Sequence, residues 1–267
     1  MIRSLLPLAF TLVLTHLCPL AASATGGQER QPGQYQASEI VGRVRTYAAE
    51  YIDRLPNFLC TQTTTHSTAG KRGERWHRRD TQTAQLVFAG GKEKRTIQAV
   101  NGKPVSGSSS RGLRNQLTTE GEFGILLANI LGPNSWAEIS WGGFETLRGH
   151  DVAVVKYSVD QEHSTLRLSR DYRTAAFVPY SGEVFADPAT GAVLRITKQI
   201  SEIPPELETE NSQTVIDYDK FSIGGTDYLL PSAAYVEMTI RSGRLRNEMS
   251  FDGYRKFEAN STITFQP

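Results

Sequence analysis

Downstream of Pro56 the sequence settles into short runs that alternate apolar and polar residues, separated by turn signals. This period of two restricts the chain to antiparallel β architecture. Val236, Met238 and Ile240 alternate with Tyr235, Glu237, Thr239 and Arg241, and Leu194 and Ile196 alternate with Val193, Arg195 and Thr197. Such runs bury one face and wet the other, as in a meander with water on one side. Strands are expected over 57–67, 75–88, 92–100, 136–146, 150–160, 164–170, 174–178, 183–187, 192–200, 214–223, 227–241, 244–253 and 256–265. Between them, Asn101-Gly102 forms a two-residue turn in which both positions tolerate positive φ. Asp187-Pro188-Ala189-Thr190-Gly191 sets proline where φ is already fixed and glycine where it must turn positive. Residues 203–212, rich in proline and glutamate, read as an exposed acidic loop. Successive hairpins twist and curl. The expected fold is mainly β (α+β), an antiparallel meander curled into an open or half barrel, with an N-terminal helix and a short internal helix.

The first helix is set by three- and four-residue spacing. Ser38 serves as N-cap, and Ile40, Val41, Val44, Tyr47, Ala48, Tyr51, Ile52 and Leu55 share a face, while Glu39, Arg43, Arg45, Glu50, Asp53 and Arg54 take the other. Pro56 ends it. A second helix is expected over Glu120–Leu131, with Phe123, Leu126, Leu127, Ile130 and Leu131 on one face and Gly132-Pro133 as the stop. The Ser/Gly/Arg segment 105–116 before it reads as a loop.

The first residues read as an export signal. Arg3 is followed by an apolar run from Leu5 to Leu20 and by Ala22-Ser23-Ala24, a cleavage site of small residues. Pro7, His16 and Pro19 interrupt the run, which is too short for a comfortable membrane span. Bulky His16 and Leu17 before Cys18 do not suit lipid attachment. The expected organisation is a signal peptide over 1–24, a flexible tether over 25–37 and a single β-rich domain over 38–267, with no transmembrane segment after cleavage and a periplasmic or secreted location. Cleavage leaves Cys60 alone, so no disulfide forms within the mature chain. Lys and Arg number 29 against 28 Asp and Glu, so no global field favours nucleic acid or an anionic membrane.

Motifs of catalysis are missing. The sequence has no Gly-x-Ser-x-Gly elbow, no phosphate-cradling loop and no dinucleotide fingerprint. His66, His77, His150 and His163 lack the paired spacing of metal ligands, and His77 meets His66 only if their strands pair across the Gly70 turn. No metal and no cofactor is expected. Asp217 with Asp219, and Glu183 with Asp187, are candidate carboxylate pairs that read more simply as solvated charges on a sheet. In Lys71–Arg79, strand geometry turns Arg75, His77 and Arg79 one way and Trp76 and Arg78 the other. This set would grip a phosphate, a lipid headgroup or an anionic polymer, or else keep a sheet edge soluble. Cys60 reads as a small buried hydrophobe. Trp136, Trp141 and Phe144, beside Gly142 and Gly143, would line a cavity or fill a core.

The segments Gly182-Glu183-Val184-Phe185-Ala186-Asp187 with Thr190-Gly191-Ala192-Val193-Leu194-Arg195, and Val215-Ile216-Asp217-Tyr218 with Leu230-Pro231, join the order of elements in a family resemblance. From about Ser38 onward the chain resembles the periplasmic lipoprotein carriers of the LolA/LolB type. Leu55-Pro56-Asn57-Phe58-Leu59-Cys60-Thr61-Gln62 is similar to a group of uncharacterised secreted bacterial proteins and brings no activity with it. The carrier resemblance implies an unclosed barrel with an apolar concave face, capped by helices, that holds acyl chains; no carrier binding residue maps onto a position here. The leading expectation is a non-catalytic binding protein with an apolar cavity for a lipid or acylated ligand. Phe123, Leu126, Leu127 and Ile130 would line it, with Trp136 and Trp141 nearby, and its partners would be lipid or lipoprotein acyl chains. The alternatives are an envelope structural module with a packed core and an envelope protein as partner, and, with least support, a hydrolase.

Overall fold

The computed structural model describes residues 32–71, 75–105, 124–170 and 173–257. The chain divides into two units, residues 1–31 and 32–267, and the described residues belong to the second. The signal-peptide reading therefore lies outside the described residues.

Helix α1 spans Pro32–Arg54. It begins before Ser38, because proline suits the first helical position, where its missing N–H loses no bond. Residues 32–37 thus belong to the helix and not to a tether. Ile40, Val44, Ala48 and Tyr51 are buried on one side, while Glu39, Arg45, Glu50 and Asp53 are exposed on the other.

The strands β1 (Phe58–Ala69), β2 (His77–Ala89), β3 (Lys92–Val100) and β4 (Lys103–Pro104) step outward to one edge of a sheet. After the short helix α2 (Ile125–Leu131), the chain resumes at the opposite edge with β5 (Glu138–Leu147) and β6 (His150–Val159). A separate hairpin, β7 (Arg167–Ser169) and β8 (Ala175–Phe177), precedes β9 (Tyr180–Ala186), β10 (Val193–Ile200), β11 (Thr209–Ile223), β12 (Thr226–Ile240) and β13 (Gly243–Lys256). Among the described residues the main sheet has eleven strands in the order β4-β3-β2-β1-β13-β12-β11-β10-β9-β6-β5. Its neighbours pair antiparallel throughout. First and last strands join in the middle, and β4 and β5 stay apart at the edges. The result is a curled, open meander, as the period of two implied.

Several strands differ from the expectation for local reasons. A bulge between Val193 and Arg195 puts Val193 with Ile196 in the main core and turns Leu194 to the outer side. There it packs on a small cluster of Leu147, Val152, Val154 and Phe185. β6 is therefore buried on both faces, and the rule of one wet face fails at that place. β11 starts at Thr209, so the acidic loop is shorter than 203–212 and keeps only a single 3-10 turn, Pro205–Leu207. Gly253 does not end a strand: a bulge opposite Leu59 and Thr61 carries β13 on to Lys256.

Candidate functional site

The inner face of the sheet, where α1 and α2 pack, is the candidate site. Inward residues Phe58 and Cys60 on β1, Leu86 and Phe88 on β2, Val155 and Tyr157 on β6, Val184 on β9 and Ile196 on β10 form one apolar cluster with the helices. Ile216 and Tyr218 on β11 and Met249 and Phe251 on β13 extend it. Tyr51 anchors α1 in this floor: its Oη donates to the Leu229 carbonyl at 2.8 Å, and its ring meets Tyr218 edge-on at 6.2 Å.

Two glycines set how closely the cover fits. Gly191, at φ +74°, brings the β9–β10 turn against α1 so tightly that a Cβ there would lie 2.5 Å from the backbone of Arg43 and 2.7 Å from Val44 N. The Arg43 guanidinium also donates through Nε to the Pro188 carbonyl at 3.1 Å. Asp187 folds the turn by accepting from Ala189 N, Thr190 N and Thr190 Oγ1. Burial pushes the Asp187 carboxyl up, but the bonds from Thr190 and Ala189 outweigh it and hold the group below its ordinary value. Gly124, at φ +116°, stands before α2, and a Cβ there would meet Ile52 at 2.8 Å. A side chain at Gly124 would therefore press on Ile52 and Tyr51 of α1.

The expected lining residues fall in different places. Leu127, Ile130 and Leu131 on α2 are buried in the inner core, and Leu126 and Trp141 pack against it. Trp141 meets Phe144 edge-on at 5.1 Å beside the β5 bulge. Trp136 is 71 % exposed and stacks on His163 at 4.6 Å. Phe123 lies outside the described residues, as does the beginning of the helix expected from Glu120. Cys60 is buried, and desolvation pushes its thiol up to about 12, so it stays protonated at neutral pH.

Arg75, His77 and Arg79 are all exposed. A bulge opposite His66 and Ser67 interrupts β2 at Arg79, so simple alternation does not give the three one face. Trp76 instead carries Arg246 over its ring at 3.9 Å and Arg244 at 4.8 Å, and both arginines pair with Glu237. His66 bonds Asp80 at 2.6 Å and aligns with it across β1 and β2, whereas His77 aligns with Thr68. Among the described residues no three His, Cys, Asp or Glu side chains converge as metal ligands. Asp217 is clamped by Arg195 at 2.6 and 2.9 Å, and Arg148 bridges Asp217 and Asp219. These carboxylates serve ion pairs on the sheet. No helix among the described residues is long and apolar enough to cross a membrane.

Sequence reasoning missed a change of polarity along the inner face. On β1 the inward residues run Phe58, Cys60, Gln62, Thr64, His66; on β2 they run Phe88, Leu86, Ala84, Gln82, Asp80. β13 follows with Phe251, Met249, Asn247. On β1 and β2 the run turns from apolar to polar, and Asn247 on β13 lies beside the polar stretch. The signal was present as Gln62-Thr64-His66 in alternate positions, but only the strand register shows that neighbouring strands repeat it.

No family model matches the sequence, and no curated protein matches it. Solved structures similar to the chain include a LolA superfamily protein from Nitrosomonas europaea. It is 10 % identical, with a TM-score of 0.36, over 84 % of this chain and 94 % of its own. A DUF1329 family protein from Desulfovibrio piger matches at 10 % identity and TM-score 0.39, over 87 % and 96 %. A domain described as a putative outer membrane lipoprotein-sorting protein, from Vibrio parahaemolyticus, matches at 10 % and 0.36, over 83 % and 92 %.

Proposed function

We propose that this is an exported, non-catalytic binding protein that lodges the acyl chain of a lipid or lipoprotein between the inner face of its open sheet and the two helices covering it. The observation that carries this reading is the cover itself. One apolar surface runs across strands from both halves of the meander, and among the described residues α1 and α2 close it. Exchanging a helix's apolar stripe for an acyl chain swaps one apolar contact for another, so opening the cover is offset by the ligand. Each buried CH2 contributes about 0.8 kcal/mol, so roughly ten contribute about 8 kcal/mol without directional contacts. Export through residues 1–24 would place the protein in the periplasm or outside the cell. Arg75, His77 and Arg79 would then be a surface able to meet anionic headgroups.

A filled envelope module that meets an envelope protein is the second reading. The packing of Leu127, Ile130 and Leu131, each at 1 % exposure or less, favours it. Titration with a fluorescent fatty acid separates the two. Saturable binding of about one probe per chain, displaced by unlabelled fatty acid, supports the carrier. An absence of binding at every probe concentration leaves the filled module.

A further inference from the structure

The polar end of the inner face has chemistry of its own. Gln62 is 2 % exposed, and its Oε1 has no hydrogen-bond partner. Its cross-strand neighbours on the same face, Ala84 and Phe251, are apolar and can supply none. A buried carbonyl oxygen left unpaired costs about 1–3 kcal/mol, and such a group in a folded protein calls for an explanation. Around it the next two rows bring Thr64 beside Gln82, and His66 between Asp80 and Asn247. Amides and a hydroxyl dominate this cluster, and the His66–Asp80 pair supplies its ionisable groups. Every buried polar side chain among the described residues is uncharged. In the same row as His66, the inward cation is Lys198 on β10, four strands away.

We propose that the cluster of Gln62, Thr64, His66, Asp80, Gln82 and Asn247 is a headgroup subsite for an uncharged, hydroxyl-bearing group carried on the acyl chain. This rests on the carrier reading and extends it. The apolar ends of β1, β2 and β13 take the chain, and the aligned polar ends take a glyceryl or glycosyl head. Gln62 Oε1 accepts a hydroxyl proton from the head, which gives the orphaned oxygen its partner. A phosphate head is disfavoured because the cluster contains a carboxylate and no arginine or lysine.

The test titrates one fluorescent acyl chain in three forms, as the free acid, the glyceryl ester and the glyceryl phosphate ester, against the wild type, Gln62→Leu and Thr64→Val. The wild type is expected to bind the glyceryl ester about tenfold more tightly than the acid, the value of one well-made hydrogen bond. Gln62→Leu is expected to remove that preference, bringing the ester to the affinity of the acid. Its melting temperature should not fall, because the substitution deletes an unpaired polar atom, and Thr64→Val should lower the same preference. Equal affinity for acid and ester in the wild type overturns the subsite and leaves the carrier standing. A preference that survives both substitutions overturns it too, as does tightest binding of the phosphate ester. A wild type that binds no form overturns the subsite together with the carrier reading.

Discussion

Gly191→Ala tests the seat of α1, because the close approach of the β9–β10 turn sets the fit of the cover. Two costs act at this position. Alanine at φ +74° carries the left-handed strain of about 1–2 kcal/mol. Its Cβ would also lie 2.5 Å from the Arg43 backbone and 2.7 Å from Val44 N, closer than real Cβ contacts come. Backbone cannot swing aside as a flexible side chain does, so the helix must lift or the turn must open, an overpacking cost of about 1–3 kcal/mol. Gly224→Ala is the control, since Gly224 has φ +61° and open space around its would-be Cβ. It bears the strain alone. The gap between the variants is the overpacking cost, equivalent to about 2–12 °C in melting temperature for a unit of this size. Differential scanning calorimetry measures the gap, and hydrogen exchange locates it: α1 amides should exchange faster in Gly191→Ala and unchanged in Gly224→Ala. Equal melting temperatures, or loosening spread over the sheet with α1 protected, would refute the reasoning.

Three further outcomes follow from the same geometry. Ile130→Ala, at a fully buried α2 position, should lower stability by about 2–5 kcal/mol in a denaturant titration, whereas Trp136→Ala, at an exposed position, should cost less than about 1 kcal/mol. Cys60 should resist alkylation by iodoacetamide in the native protein at mildly alkaline pH and react once the chain is denatured, read by mass spectrometry, because burial holds its thiol near 12. Burial pushes Glu237 up, but bonds from Tyr235 and Arg246 carry it below the ordinary 4.5, so its contribution is present above that value and lost as pH falls through the lowered one. Glu237→Gln should therefore flatten the acid limb of a plot of stability against pH and leave its neutral side no steeper.

The sheet was legible because its signals are local. Alternation at Val236 and Met238 survived folding, and the turn at Asp187–Gly191 formed as its residues require. The apolar face of α1 was equally plain, since spacing alone assigns Ile40, Val44, Ala48 and Tyr51 to one side. What escaped depends on insertions and register, which no single strand records. A one-residue bulge at Val193 sends Leu194 to the outer face, and a bulge at Arg79 interrupts the alternation from which one face for Arg75, His77 and Arg79 was read. For the site, the burial of Leu127 and Ile130 was readable from helix spacing. The polar cluster around Gln62 was not, because its members lie on β1, β2 and β13 and meet only when first and last strands pair.

Where the ligand lies can be measured directly with a fatty acid carrying a photoreactive diazirine in its chain, cross-linked to the protein and mapped by peptide mass spectrometry. Under the carrier reading, adducts are expected on inward residues of β1, β10, β11 and β13 and on the buried side of α1, suppressed by excess unlabelled fatty acid. Adducts confined to exposed Trp136, Phe144 and Phe177, or adducts that excess fatty acid does not suppress, would contradict it.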